Sequence, residues 1–289
     1  MLSVIMPAHN EANVIAEAID RFLAQRTDKP FELIVVPNGC TDDTAAIARS
    51  RIEAAAARGI RLHVEERGEP GKIGALNAGD EQARFDCRMY CDSDLLVSES
   101  LIEAALAALD TEAPRYAAFR LVVKPPRSAV SRAYARMWSQ LPLIAKRPHG
   151  IALYAVNAAG RARWGAYPDI VADDHFARLN FAPEERVRSD EASYEFAMPE
   201  GLGELLAVRT RWARGNEELA AKFPALLENE DRGNRYEGFG RVALLDPVGS
   251  AVFTGVFVFG KLQGIRKAKQ GTAAWERASA SRSGAQLKS

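Results

Sequence analysis

Four short strand-like runs, each with polar residues and a helix-period stretch behind it, limit what this chain can fold into more than any other feature. They lie at residues 2–6, 31–36, 60–64 and 88–91. Helical patterns follow at 12–25, 43–58, 75–83 and 98–109. In the first of these, Val14, Ala18, Phe22 and Leu23 form one apolar stripe. Strands alternating with helices predict βαβ units and a mainly parallel α/β sheet. Two more runs, at 116–123 and 151–156, predict further strands. In such sheets, ligands bind beyond the carboxyl ends of the strands. Three of the runs deliver polar groups to that edge: "VIMPAHNE" from Val4, "IVVPNGCTDDT" from Ile34 and "CRMYCDSDLL" from Cys87.

The 289 residues allow one large domain, or one domain with an appendage. With 47% hydrophobic and 26% charged residues the chain has the composition of a soluble globular protein. Basic and acidic side chains number 38 each, so no bulk field draws it to nucleic acid. It opens directly on a strand, without a basic leader and apolar core, and the expected location is cytoplasmic. The three cysteines suggest reduced thiols, with Cys87 and Cys91 as small apolar residues on one strand face.

Four clusters carry chemistry. In extended geometry Asp92 and Asp94 face one side, and paired carboxylates suit Mg²⁺ or Mn²⁺. As a turn or helix cap, Asp-Ser-Asp needs no ligand. "GEPGKIGALNAGDE" from Gly68 offers close backbone approach and the Lys72 charge for phosphate. It lacks the Gly-Lys-Ser/Thr of a P-loop, and no Gly-x-Gly-x-x-Gly follows the first strand. Asp173 and Asp174 precede a helical pattern, where one could cap and the other act as a base. "VRTRWARGN" from Val208 sets Arg209, Arg211 and Arg214 around Trp212, suited to phosphate and a sugar ring or simply to a solvated helix face.

Taken in order, Pro7–Glu11, Asn38–Thr44, Gly71–Gly79, Asp92–Asp94, Asp173–Asp174 and Arg209–Trp212 resemble the family-2 glycosyltransferases of GT-A fold, over roughly residues 1–230. The resemblance implies inverting transfer of a sugar from a nucleoside-diphosphate sugar to an acceptor hydroxyl, with Mn²⁺ or Mg²⁺ as cofactor. UDP is expected from family frequency alone. Pro7, Ala8, His9, Glu11 and Asn38 would hold the nucleotide. Lys72, Asp92, Arg209 and Arg211 would hold the donor diphosphate, with the metal on Asp94 and Asp92. Asp174 would be the catalytic base, and Asp173, Trp164 and Trp212 would line the acceptor pocket. Two positions depart from the family pattern. Pro37-Asn38-Gly39-Cys40 stands where D-D-G-S is usual, and the Gln of Q-x-x-R-W falls at Val208 or Arg209. A catalytically silent nucleotide-sugar-binding scaffold of the same fold is the alternative, with Pro37-Asn38 as its sign. A nucleotidyltransferase would want a Gly-rich first loop with a basic residue, which is absent.

The expected organisation is a nucleotide-sugar-binding half at 1–124, an acceptor half at 125–230, an apolar and basic appendage at 231–269 and a disordered tail at 270–289. Residues 204–228 read as one or two helices broken near Gly215 and Pro224. Residues 247–260 are uncharged for 14 positions, short of the about 20 that span a bilayer. They read as a buried helix, a strand pair or a re-entrant segment. Seven basic residues against one acidic residue follow Gly260. That pattern suits a solvated tail, or peripheral contact with an anionic membrane surface.

Overall fold

The structure is a computed structural model that describes residues 1–231 and 239–269. The low-complexity stretch expected from Gln270, with Arg277, Arg282 and Lys288, lies outside the described residues. Strands β1 (Leu2–Ala8), β2 (Phe31–Pro37), β3 (Arg61–Val64) and β4 (Cys87–Cys91) pair in parallel, in the order β3-β2-β1-β4. The connections carry helices α1 (Ile15–Leu23), α2 (Thr44–Arg49), α3 (Ile52–Ala57) and α4 (Lys72–Gln82). Every residue of β1 and β2 is buried. Parallel strands covered on both faces read as nearly continuous apolar runs, here interrupted only by Ser3 and Glu32, which hydrogen-bond each other at 2.6 Å.

The sheet then turns antiparallel. After β5 (Leu96–Val97) and α5 (Leu101–Ala108) come β6 (Tyr116–Lys124), β7 (Leu153–Val156) and β8 (Arg186–Ala197), completing the order β4-β7-β6-β8-β5. β7 pairs antiparallel with both β4 and β6, and β5 with β8. The 12-residue β8 was not anticipated. Only Arg186, Ala192 and Tyr194 in it are buried, so its sequence lacks an apolar alternation. The helical pattern at 43–58 is divided between α2 and α3, and α4 begins at Lys72 rather than near Ala75.

The chain divides into two compact units that interleave in sequence. Unit 1 holds Met1–Arg120, Gly150–Asp169 and Asn180–Glu195; unit 2 holds Leu121–His149, Ile170–Leu179 and the chain from Phe196 on. In unit 1, Tyr116 stacks on Tyr154 with ring centres 5.4 Å apart, and the Tyr154 and Tyr167 hydroxyls lie 2.8 Å apart. Asp80 of α4 accepts hydrogen bonds from Arg88 Nε (3.0 Å), the Tyr90 hydroxyl (2.9 Å) and Arg161 Nη2 (2.9 Å). This network ties α4, which starts with Lys72, to β4, which delivers Asp92.

Unit 2 is helical: α6 (Ala129–Trp138), α7 (Pro142–Ala145), α9 (Asp173–Leu179), α10 (Gly201–Lys222), α11 (Phe239–Leu245) and α12 (Pro247–Lys269), with the short α8 (Ala158–Arg161) belonging to unit 1. The expected break at Gly215 does not occur. α10 runs unbroken for 22 residues, and a Cβ at Gly215 would lie 3.2 Å from Val171 and Ala172, so the glycine serves close packing. The apolar run at 247–260 is part of one 23-residue helix, neither a strand pair nor a re-entrant segment. By length and composition, Pro247–Ala268 suffices to cross a membrane, which corrects the expectation of a run too short to span. α12 lies along α10, where a Cβ at Gly264 would come within 2.5 Å of Ala213. It meets α6 through Tyr134 and Phe253, ring centres 5.3 Å apart.

Removing one member of a buried ionic network leaves its partners uncompensated. Asp80→Ala is therefore expected to destabilise the fold by about 3 kcal/mol or more, measured by urea unfolding. A loss under about 1 kcal/mol, the range of an exposed ion pair, would show that solvent already screens the network.

Candidate functional site

The carboxyl ends of β1, β2 and β4 bring their polar residues to one edge of unit 1. Ala8 stands opposite Pro37 in the β1–β2 register, and Ile5 opposite Tyr90 in the β1–β4 register. Pro7, Ala8 and Glu11 are buried at this edge, while His9 is half-buried. His9 Nδ1 bonds to the Asn38 carbonyl. Asn10 takes a left-handed φ of 53°, and its side-chain oxygen accepts from the Thr41 amide at 2.8 Å. Beside it, Asp42 accepts from the Ala12 amide and the Thr44 hydroxyl. Burial works against the charge of Asp42, yet these hydrogen bonds hold its carboxyl below the ordinary range.

Asn38 is placed differently from the sequence expectation. Only 2% of it is exposed, and its side chain bonds to the protein's own backbone. Its amide nitrogen donates to the carbonyls of Ala8 (2.8 Å) and Val36 (3.2 Å), and its oxygen accepts from the Gly71 amide (3.0 Å). The side chain thus clasps the ends of β1 and β2 to the loop before α4. Gly39 beside it has φ 54°, and a Cβ there would lie 2.7 Å from Pro70. A side chain at that position would push the same loop away.

After β4 the burial alternates: Cys91 buried, Asp92 half-buried, Ser93 buried, Asp94 half-buried. Both carboxylates are therefore partly open to solvent, Asp92 directly after the strand and Asp94 in the turn that follows it. Lys72 Nζ lies 2.9 Å from Asp92 Oδ1. Burial pushes the Cys91 thiol well up, and the Asp92 and Asp94 charges add to that effect, which leaves Cys91 an unreactive core residue.

In unit 2, α9 begins with the second acidic pair. Asp173 is 5% exposed, whereas Asp174 is half-buried and its Oδ1 accepts from the His175 amide at 2.7 Å. Phe176 meets Phe223 at 5.2 Å between ring centres. Trp212 stacks on Trp138 at 6.3 Å and 27°. Arg211 is half-buried on α10.

Two expected site residues have other surroundings. The Arg209 guanidinium sits over the Phe257 ring of α12 at 4.2 Å, so its cation–π contact holds two helices together. Trp164 is 8% exposed and belongs to the aromatic core of unit 1, edge-on to Tyr167 and Phe181 and beneath Arg161. Sequence reasoning missed His175, Arg178, Glu230 and Asp231. Glu230 accepts from His175 Nε2 (3.0 Å) and Arg178 Nη2 (2.5 Å), and Asp231 from Arg178 Nη1 (2.8 Å). The only signal was the i, i+3 spacing of His175 and Arg178, one helix face, with acidic partners 52 to 55 positions away.

Asn38→Asp puts an acidic residue where the resembled D-D-G-S pattern has one. It also removes both donors and turns a carboxylate toward the Ala8 and Val36 carbonyls. A destabilisation of about 1–3 kcal/mol by urea unfolding is expected, the cost of a lost buried bond with polar groups left unpaired. Unaltered stability in the Asn38→Asp variant would show that the clasp does not depend on the amide.

Residues 3–164 match the family model of glycosyl transferase family 2. Glycosyltransferase AglD of Haloferax volcanii is 32% identical over 192 residues, which is 61% of this chain but only 29% of AglD. Among solved structures, the mannosyltransferase PcManGT from Pyrobaculum calidifontis, in complex with GDP-Man and Mn²⁺, superposes with TM-score 0.60 at 23% identity, over 94% of this chain and 76% of that one. TarS 1–349 of S. aureus, in complex with UDP, gives 0.53 at 17% identity, over 94% and 92% of the two chains. These two likenesses establish the fold. The family match covers more than half of the chain, which is therefore a member of glycosyl transferase family 2, with the GT-A fold.

Proposed function

We propose that the protein transfers a sugar from a nucleoside-diphosphate sugar, with UDP as the expected nucleotide, to an acceptor hydroxyl with inversion and with the help of a divalent cation. The observation that carries this is the pair of half-exposed carboxylates, Asp92 and Asp94, at the end of β4, with Lys72 on Asp92. Two carboxylates form an oxygen-donor pair of the kind Mg²⁺ and Mn²⁺ take, and these ions complete their shells with substrate phosphates. Among the described residues no group of three or more His, Cys, Asp or Glu side chains could hold a metal, so Asp94 and Asp92 would share the ion with the donor diphosphate. When bound, the ion supplies positive charge to the leaving nucleoside diphosphate. Lys72 adds a second cation at the same oxygens, and His9 with the β1 and β2 ends borders the nucleotide. An acceptor hydroxyl is a poor nucleophile at neutral pH, and inversion needs a base opposite the leaving group. Asp174, the more open member of its pair, is assigned that role, and Asp173 supports the helix start.

The same reading gives the protein a cytoplasmic location and peripheral contact with an anionic membrane surface. α12 buries Phe253, Val256, Gly260 and Gly264 on one side. On the opposite side Val248, Val258, Phe259 and Leu262 are 66%, 45%, 63% and 53% exposed, and Lys261 and Arg266 lie in the last turns. An apolar face with flanking cations suits the headgroup boundary. The buried side of α12 rests on α10, which carries Glu204, Arg209, Arg211, Arg214, Glu217, Glu218 and Lys222. A bilayer core does not readily accept that charge, which supports peripheral contact of α12 over a crossing.

The chemistry is tested by two substitutions. Asp94→Ala should abolish the Mn²⁺-dependent thermal stabilisation by UDP or GDP sugars, a gain of about 2.7 kcal/mol at a hundred times Kd in the parent. Asp174→Asn should keep that stabilisation and lose kcat by about 10²-fold or more. Unchanged donor affinity in the first variant, near-normal turnover in the second, or a product with the donor's anomeric configuration would each overturn the assignment.

For the membrane, the protein should sediment with phosphatidylserine-containing vesicles but not with phosphatidylcholine alone. Phe259→Glu together with Val258→Glu should abolish this. Resistance to extraction by both high salt and alkaline carbonate would mean that α12 crosses the bilayer.

A further inference from the structure

We infer that Glu230 is the positioning residue for Asp174, acting through His175 and Arg178 to fix the rotation of α9. The inference rests on Asp174 being the base.

α9 has seven residues, two turns at most, and so short a helix cannot hold its own orientation in water. Its first turn presents Asp173 and Asp174, which stand about 100° apart around the axis. Asp173 is buried and Asp174 is half-exposed. A rotation of one residue would therefore exchange the carboxylate that faces the open side. Something outside α9 must choose between them.

Several anchors lie in unit 2. Ahead of the helix, the Val171 amide donates to Glu218 Oε2 at 3.2 Å, and Gly215 lets α10 approach Val171 and Ala172. Within it, His175 Nδ1 lies 2.9 Å from Asn216 Oδ1 of α10, and His175 Nε2 lies 3.0 Å from Glu230 Oε2. One turn on, Arg178 is 5% exposed and forks across Glu230 Oε1 (2.5 Å) and Asp231 Oδ2 (2.8 Å). At the end, Asn229 Nδ2 donates to the Leu179 carbonyl at 2.9 Å. Glu230 grips two side chains of α9, three residues apart on one face, with one oxygen to each. A single grip allows a helix to swivel; two grips on one rigid carboxylate do not. Burial opposes the charge of Glu230, yet His175 and Arg178 hold its carboxyl far below the ordinary range, so the grip persists throughout the neutral pH region. Arg178 is suited to the task because its planar fork fixes direction as well as distance.

The test is Glu230→Gln, which keeps the shape and removes the charge. With Mn²⁺ and UDP-GlcNAc or GDP-mannose as donor, nucleoside-diphosphate release should fall about ten- to a hundredfold in kcat, the scale of an ångström-level misplacement. Nucleotide affinity should not change. In a cycle with Asp174→Asn, the double variant should be no slower than Asp174→Asn alone, because Glu230 acts only through that carboxylate. Asn216→Ala, at an exposed residue, should give a smaller loss with the same non-additivity and guards against a folding failure of the first variant. Wild-type kcat in Glu230→Gln beside an impaired Asp174→Asn would overturn the positioning role and leave the base in place. Additive losses in the cycle would mark Glu230 as merely structural and overturn it as well. Full turnover in Asp174→Asn would overturn both.

Discussion

Asn38 holds three pieces of backbone with one side chain: the last carbonyl of β1, a carbonyl of β2 and the amide of Gly71 just ahead of α4. Everything proposed for the donor end of unit 1 depends on that junction. Parallel pairing levels the strand ends, but it says nothing about the loop that must come back over them. The clasp brings the loop in, Gly39 leaves room for Pro70, and α4 then starts where Lys72 can reach Asp92. An aspartate could not make the same three bonds, since it has no donor when ionised. The departure from the usual family motif is thus a different way of closing the loop, in which the amide works on the protein's own backbone.

The sequence made the parallel half of the sheet legible because β1 and β2 are buried on both faces and need no alternation to be recognised. The polar residues at their ends were legible for the same reason: a core has no use for them. β8 was hidden because most of it is exposed or half-exposed on both sides, and Gly215 misled because a glycine in a helix interior reads as a break when it can equally be a contact. Motif order led to Asp92, Asp94, Asp173 and Asp174, but not to which groups hold them. Asn38, Arg209 and Trp164 show the limit from the other side. Their types suit ligand binding, and only the structure reveals that a backbone, a neighbouring helix and an aromatic core already engage them.

The elements that carry the proposed chemistry are held by similar means in the two units. α4 is tied to β4 by Asp80 between two arginines and a tyrosine. α9 is tied down by Glu230 and Asp231 around Arg178, with His175 as the second hold. Buried ion pairs add little net stability, because desolvation cancels much of the attraction. What they add is direction, since a guanidinium bonds well only along its fork. An apolar contact could stabilise either element as much, yet it would tolerate sliding and rotation that move a carboxylate by an ångström. Site residues on short or terminal segments need the directional kind of contact, and in this chain Asp80, Arg178 and Glu230 serve those segments, while Val4, Ile5 and Met6 of β1 and Leu33, Ile34 and Val35 of β2 are held by apolar burial.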